Sequence, residues 1–162
     1  MRFLLYLCTE FTPMRVENDI LIPELARLLS EEKEVRLTPS GMSMRPYIEG
    51  GRDSVILAPL TRSPRCGDII LARAIAANGR NTYVLHRLVR IERDERGEEA
   101  YVLMGDGNLE GEEVCSAADI IGRVAAIETP AGKRKPLSRG RIWYYLLPWR
   151  KWLLKAYRKI YL

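Results

Sequence analysis

The chain has little that would staple or anchor it. Its 162 residues include three cysteines, Cys8, Cys66 and Cys115, an odd number without a C-x-x-C pair, so neither a disulfide framework nor a zinc site is expected. A reducing, cytoplasmic compartment fits that usage best. No stretch approaches the roughly 18 consecutive apolar residues of a bilayer-spanning helix. The run Phe3-Leu4-Leu5-Tyr6-Leu7-Cys8 is short and Glu10 follows it without a small-residue cleavage site, so it does not read as a signal peptide. Met14 is a second candidate start, with residues 1–13 then an upstream extension. His86 is the only histidine, and there is neither an internal repeat nor a low-complexity segment. No metal and no cofactor is expected.

Acid is missing from one region altogether. Residues 131–162 hold ten of the 26 Lys and Arg and no Asp or Glu, which leaves residues 1–130 with 16 basic residues against 21 acidic ones. The net charge of +5 therefore belongs to the tail. An acidic body with a basic, aromatic tail points to an anionic surface, a membrane or a partner, rather than to nucleic acid. Length and an ordinary apolar share predict one compact body over residues 1–130, followed by a basic aromatic tail over 131–162.

Most of the body reads as short strands punctuated by turns. Ile20, Leu21, Leu25, Leu28 and Leu29 recur at helical spacing behind Asp19 as a cap, so residues 19–33 are expected to form an amphipathic helix. Val35 and Leu37, Val55-Ile56-Leu57, residues 68–72, Ala100–Met104 and Asp119–Ile127 read as strands. Asn78-Gly79 is the strongest hairpin signal and should join residues 69–76 to 82–92. Period two then places Val84, His86 and Leu88 on one face of the second strand and Leu85, Arg87 and Val89 on the other. The expected fold class is mainly β, with an N-terminal helix and a C-terminal amphipathic helix.

Three residues stand out chemically. Ser43 lies in Ser40-Gly41-Met42-Ser43-Met44-Arg45-Pro46, where a glycine and a proline make a stiff bend. Such a bend is ordinary turn chemistry, or it presents a serine that a base can activate. His86 is either a satisfied structural residue on an apolar strand face or that base. Asp106, between Gly105 and Gly107, is either a turn residue or the acid that orients the base.

Taken together the segments resemble the S24/S26 serine peptidases, which comprise the type I signal peptidases and the LexA-type self-cleaving repressors. Gly41-Met42-Ser43-Met44-Arg45-Pro46 is similar to their nucleophile box, Gly67-Asp68-Ile69-Ile70-Leu71 to the strand after it, and Val84-Leu85-His86-Arg87-Leu88-Val89 to the general-base strand. Met104-Gly105-Asp106-Gly107-Asn108 resembles the GDNN box, and Asp119-Ile120-Ile121-Gly122-Arg123 the closing GR strand. His86-Arg87 resembles the histidine branch of endoplasmic-reticulum and archaeal signal peptidases, where most bacterial members have lysine.

The resemblance implies a signal peptidase/LexA-like β domain and a serine endopeptidase. Ser43 would be the nucleophile, His86 the general base and Asp106 the orienting acid, with Glu112 as the alternative acid. The substrate would be a leader or signal-like peptide bound as an added strand and cut after small residues. Two departures stand beside it: Gly41 replaces the hydroxyl residue that often precedes the nucleophile by two positions, and no transmembrane anchor is present in the sequence. A self-cleaving regulatory module, with Ala74-Ile75-Ala76-Ala77 as the cleavage site, and a non-catalytic peptide-binding protein are the alternatives.

The tail carries a second pattern. Trp149, Trp152, Leu153, Ala156, Tyr157, Ile160 and Tyr161 fall on one stripe, and Arg150, Lys151, Lys155, Arg158 and Lys159 on the other side. The stripe is expected either to settle at an anionic membrane surface, making the protein peripheral there, or to pack on the β body.

Overall fold

A computed structural model describes residues 3–5, 14–16, 18–93, 96–135 and 137–161, with side chains placed from Ile20 onward except in parts of the tail. Tyr6, Leu7, Cys8 and Glu10 lie outside the described residues, as do the side chains of Arg158, Ile160 and Tyr161. The strands are β1 (Phe3–Leu5), β2 (Met14–Val16), β3 (Val35–Pro39), β4 (Ser54–Ala58), β5 (Ile69–Ala76), β6 (Asn81–Arg93), β7 (Glu99–Met104), β8 (Glu113–Ser116), β9 (Ile120–Glu128) and β10 (Arg134–Lys135). The helices are α1 (Asn18–Ser30), α2 (Leu137–Tyr145) and α3 (Arg150–Tyr161). The molecule is mainly β, and among the described residues no helix is long and apolar enough to cross a membrane.

One antiparallel sheet runs β2-β1-β3-β4-β9-β5-β6-β7-β8, with β10 on β9. β8 also returns to β5, through Ile75 opposite Val114 and Ala76 opposite Glu113, so β5, β6, β7 and β8 close into a small barrel. The hairpin at Asn78-Gly79 joins β5 to β6 where the sequence puts it. α1 starts at Asn18, so Asp19 lies inside the helix rather than capping it, and the helix stops at Ser30, short of the expected end at residue 33.

β5 explains why Ile69-Ile70-Leu71-Ala72 is an unbroken apolar run. Its alternate residues serve two cores: Ile69 and Leu71 join Leu21, Leu25, Leu29, Leu37, Val55 and Ile127, while Ile70 and Ala72 join Leu88, Tyr101, Leu103 and Cys115. A strand buried on both faces has no polar alternation to show. Each fully buried Leu or Ile contributes roughly 1.5–3 kcal/mol, so this strand is the mechanical centre of the sheet. Ala74-Ile75-Ala76 is its far end, in register with β6 and β8.

Candidate functional site

Ser43 sits on the turn-rich loop between β3 and β4. Met44 and Ile48, four residues apart, are buried in the first core, and their burial fixes the loop from beneath. Backbone bonds from Arg45 N–H to Met42 O, 3.1 Å, and from Ile48 N–H to Met44 O, 2.9 Å, wind it tightly. The glycine that this geometry demands is Gly50, because a Cβ there would lie 1.9 Å from the Gly41 carbonyl oxygen.

The loop is braced from behind by Gly105-Asp106-Gly107. Gly107 N–H donates to Ser43 O at 2.7 Å, and a Cβ on Gly105 would stand 2.6 Å from that same oxygen. Only glycine lets the two backbones come so close. The bend around Ser43 is thus set by contacts more than sixty residues away in sequence.

Ser43 and His86 are brought together. His86 Nε2 lies 2.8 Å from Ser43 Oγ, and His86 Nδ1 lies 2.9 Å from Oε2 of Glu113. An ionised carboxylate only accepts hydrogen bonds, so with one on Nδ1 a neutral His86 donates through Nδ1–H and turns its Nε2 lone pair to the serine hydroxyl. His86 is buried and Glu113 nearly so, which keeps water from competing for both bonds.

The carboxylate on His86 is therefore neither of the two expected from the sequence. Asp106 faces the other way: its two oxygens accept from Arg87 Nε and Nη2 at 2.7 and 2.6 Å, and Arg87 Nη1 donates to Gly67 O at 2.8 Å. Both partners are 1% exposed, and burial pushes the Asp106 carboxyl up against the pull of Arg87. Arg87 also stacks its guanidinium 5.6 Å from the centre of the Tyr47 ring. The physical reason is strand parity, since Arg87 follows His86 and projects from the opposite face of β6. Asp106 holds the brace behind Ser43 in place and does not touch the histidine.

Glu112 is displaced by parity too. It is exposed and binds Arg90 at 3.0 and 3.2 Å, and the guanidinium holds its carboxyl below the usual range. One residue further, Glu113 opens β8 and points to the same side as the buried Cys115. The missed signal was the alternation in Glu113-Val114-Cys115-Ser116, a strand of only four residues that pairs with β7, where Glu113 lies opposite Leu103 and Leu103 opposite Leu88, two residues from His86.

The far end of the Ser43 loop is locked by Asp53, which is fully buried. It accepts from Glu49 N–H and Arg52 Nε, each at 3.0 Å, and is paired with Lys135 of β10. Burial pushes its carboxyl up, but these donors outweigh that and hold it below the usual carboxylate range. Lys135 also donates to Tyr47 O at 3.0 Å, so β10 clamps the loop to the sheet.

The tail reaches the brace as well. Trp143 Nε1–H donates to Asp106 O at 3.2 Å. Arg150 is buried, not on a solvated face as its place in the pattern suggested; it contacts Met104 Sδ and donates to Leu109 O at 3.1 Å. Comparison with protein-family models, with curated proteins and with solved structures gives no match.

Proposed function

We propose that this chain is a serine endopeptidase of the signal-peptidase type, with Ser43 as nucleophile, His86 as general base and Glu113 as the group that orients His86. The observation that carries the reading is the unbroken hydrogen-bonded run from Ser43 Oγ through both nitrogens of His86 to Glu113. Serine is a weak nucleophile alone, and a neutral imidazole at hydrogen-bond distance is the means by which it is activated. The resemblance of the five sequence segments to the S24/S26 peptidases supports the same reading.

In the proposed reaction Ser43 Oγ attacks the carbonyl carbon of the scissile peptide bond as its proton passes to His86 Nε2. Glu113 holds the Nδ1–H and stabilises the imidazolium. Collapse of the tetrahedral intermediate breaks the C–N bond, and His86 returns the proton to the departing amine. Water then attacks the acyl-serine, its proton again taken by His86, and the carboxylic acid product leaves with Ser43 restored. Arg87 and Asp106 are positioning residues that hold the Gly105–Gly107 brace under the nucleophile. The substrate is a leader or signal-like peptide in extended form with small residues before the cut.

The test is covalent labelling by a fluorophosphonate, read by mass spectrometry of the tryptic peptides, together with cleavage of a panel of extended peptides with small residues. Labelling should fall on Ser43 and should be lost in both Ser43→Ala and His86→Ala. Equal labelling in the His86→Ala protein would remove the histidine from the mechanism, and no labelling with no cleavage would overturn the peptidase reading.

A further inference from the structure

The tail helix was expected to turn its aromatic stripe either to a membrane or to the β body. The body is in fact served by another stripe. Arg150 and Leu154, one turn apart, are 5% and 2% exposed, while Trp149 and Trp152 are 66% and 76% exposed, and Leu153 and Ala156 are exposed too. At about 100° per residue, Arg150 and Leu154 mark the inner side of α3, and Trp152 projects almost directly away from it.

Lys151, Lys155 and Lys159 are exposed alongside these aromatics, and Lys155 Nζ sits 6.0 Å from the centre of the Trp152 ring. Just upstream Tyr145 is 72% exposed and Ile142 56%. The outer surface of the tail is therefore half aromatic and apolar, half cationic, and carries no acid at all between residues 131 and 162.

We propose that the outer face of α3, carrying Lys151, Trp152, Lys155 and Lys159, together with Trp149 immediately before the helix, docks on the surface of an anionic lipid bilayer without crossing it. Large exposed apolar patches on a folded protein mark interaction sites. Trp and Tyr settle at the depth of lipid headgroups, where one edge of the ring is wet and the rest is not, and lysines beside them meet anionic phosphates. An acidic protein partner would complement the lysines but would leave the two indoles without the half-wet environment they suit. Helix α3 is also clamped through Arg150 to Met104 and Leu109, beside the loop that braces Ser43, so a bilayer held by α3 lies at a fixed orientation to Ser43 and His86. The proposal does not depend on the peptidase reading, because binding is measured without turnover.

The test is co-sedimentation of the full-length protein with vesicles of phosphatidylcholine alone or mixed with phosphatidylglycerol, at low and high salt, with tryptophan emission recorded in parallel. The expected result is binding to the anionic vesicles, a blue shift of emission, and a loss of at least about tenfold in affinity at high salt or in the triple charge reversal Lys151→Glu, Lys155→Glu, Lys159→Glu. Trp149→Ala with Trp152→Ala should lose binding to a similar degree while the circular dichroism spectrum and thermal midpoint stay unchanged, since both side chains face solvent. Equal binding to neutral and anionic vesicles, or no binding to either, overturns the proposal. So does sedimentation equilibrium showing a dimer in solution that the two tryptophan substitutions abolish, which would assign the face to a second copy of the chain.

Discussion

His86 and Arg87 are neighbours on β6, each hydrogen-bonded to a carboxylate, yet the two pairs are built for different work. Arg87 and Asp106 are sealed at 1% exposure, with two guanidinium nitrogens on the two carboxylate oxygens and the third on Gly67 O. His86 and Glu113 leave one valence open, the Nε2 lone pair, and that valence points at Ser43. An ion pair closed on itself can position a loop, but only a pair with an unused acceptor can move a proton. The comparison teaches that proximity of a carboxylate in sequence to a catalytic-looking box is a poor guide to its role. The face from which it projects decides.

The largest effect should come from breaking the open pair at its reactive end. Ser43→Ala and His86→Ala are each expected to lower kcat/KM on a cleavable peptide by on the order of 10⁶-fold, and the double substitution by little more, because the two act as a unit. Steady-state cleavage of the three proteins checks this, and losses that multiply would deny the coupling.

Glu113→Gln comes next. It is expected to cost about 10⁴-fold in rate, because an amide no longer fixes the imidazole tautomer or offsets its charge. Its stability, read by urea unfolding, should change by about 1 kcal/mol, the worth of one hydrogen bond. A Glu112→Gln control should change neither.

The closed pair should show the reverse profile. Asp106→Ala strands a buried guanidinium and is expected to destabilise the fold by about 3–5 kcal/mol, as is Arg87→Ala for the opposite charge. Replacing both, Arg87→Met with Asp106→Leu, should cost less than either single change, a double-mutant cycle that urea unfolding can close. If Asp106→Ala were stable and inactive, the aspartate would belong to the chemistry after all.

The smallest effect is a linkage effect at the loop's far end. Asp53 has its carboxyl held below the usual range, so it contributes stability that is present above the unfolded carboxylate value and lost as pH falls through the lower folded value. Thermal midpoints should therefore drop on acidification below about pH 4, and Asp53→Asn should flatten that drop while lowering stability at neutral pH.

Much of this was legible in the residues. The Asn78-Gly79 hairpin and the strand alternation around His86 follow from local rules of turn chemistry and period, as does the existence of helix α1 but not its ends, because each is decided within a few residues. The approach of Ser43 to His86 was suggested by motif order, which proxies for topology. What stayed hidden depended on long-range pairing. Glu113 reaches the site through successive pairings, opposite Leu103 of β7, which lies opposite Leu88 of β6, two residues from His86, a path that no local pattern encodes. The tail failed differently: the helical period there is real, but it cannot say which of two stripes the body takes, and a buried Arg150 satisfied by a thioether and a carbonyl outcompeted the tryptophans.

In the proposed arrangement Glu113 holds the one histidine so that Nε2 faces Ser43 unprotonated. Because His86 is unique, ¹⁵N-histidine labelling gives a single imidazole, and its two nitrogen shifts and the Nδ1–H resonance in a long-range ¹H–¹⁵N spectrum at neutral pH report the tautomer directly. The expected spectrum shows a proton on Nδ1, shifted downfield by the carboxylate, and a bare Nε2, a signature that survives Glu112→Gln and is lost in Glu113→Gln. A proton on Nε2 in the wild-type protein, or a spectrum indifferent to Glu113→Gln, would contradict the account.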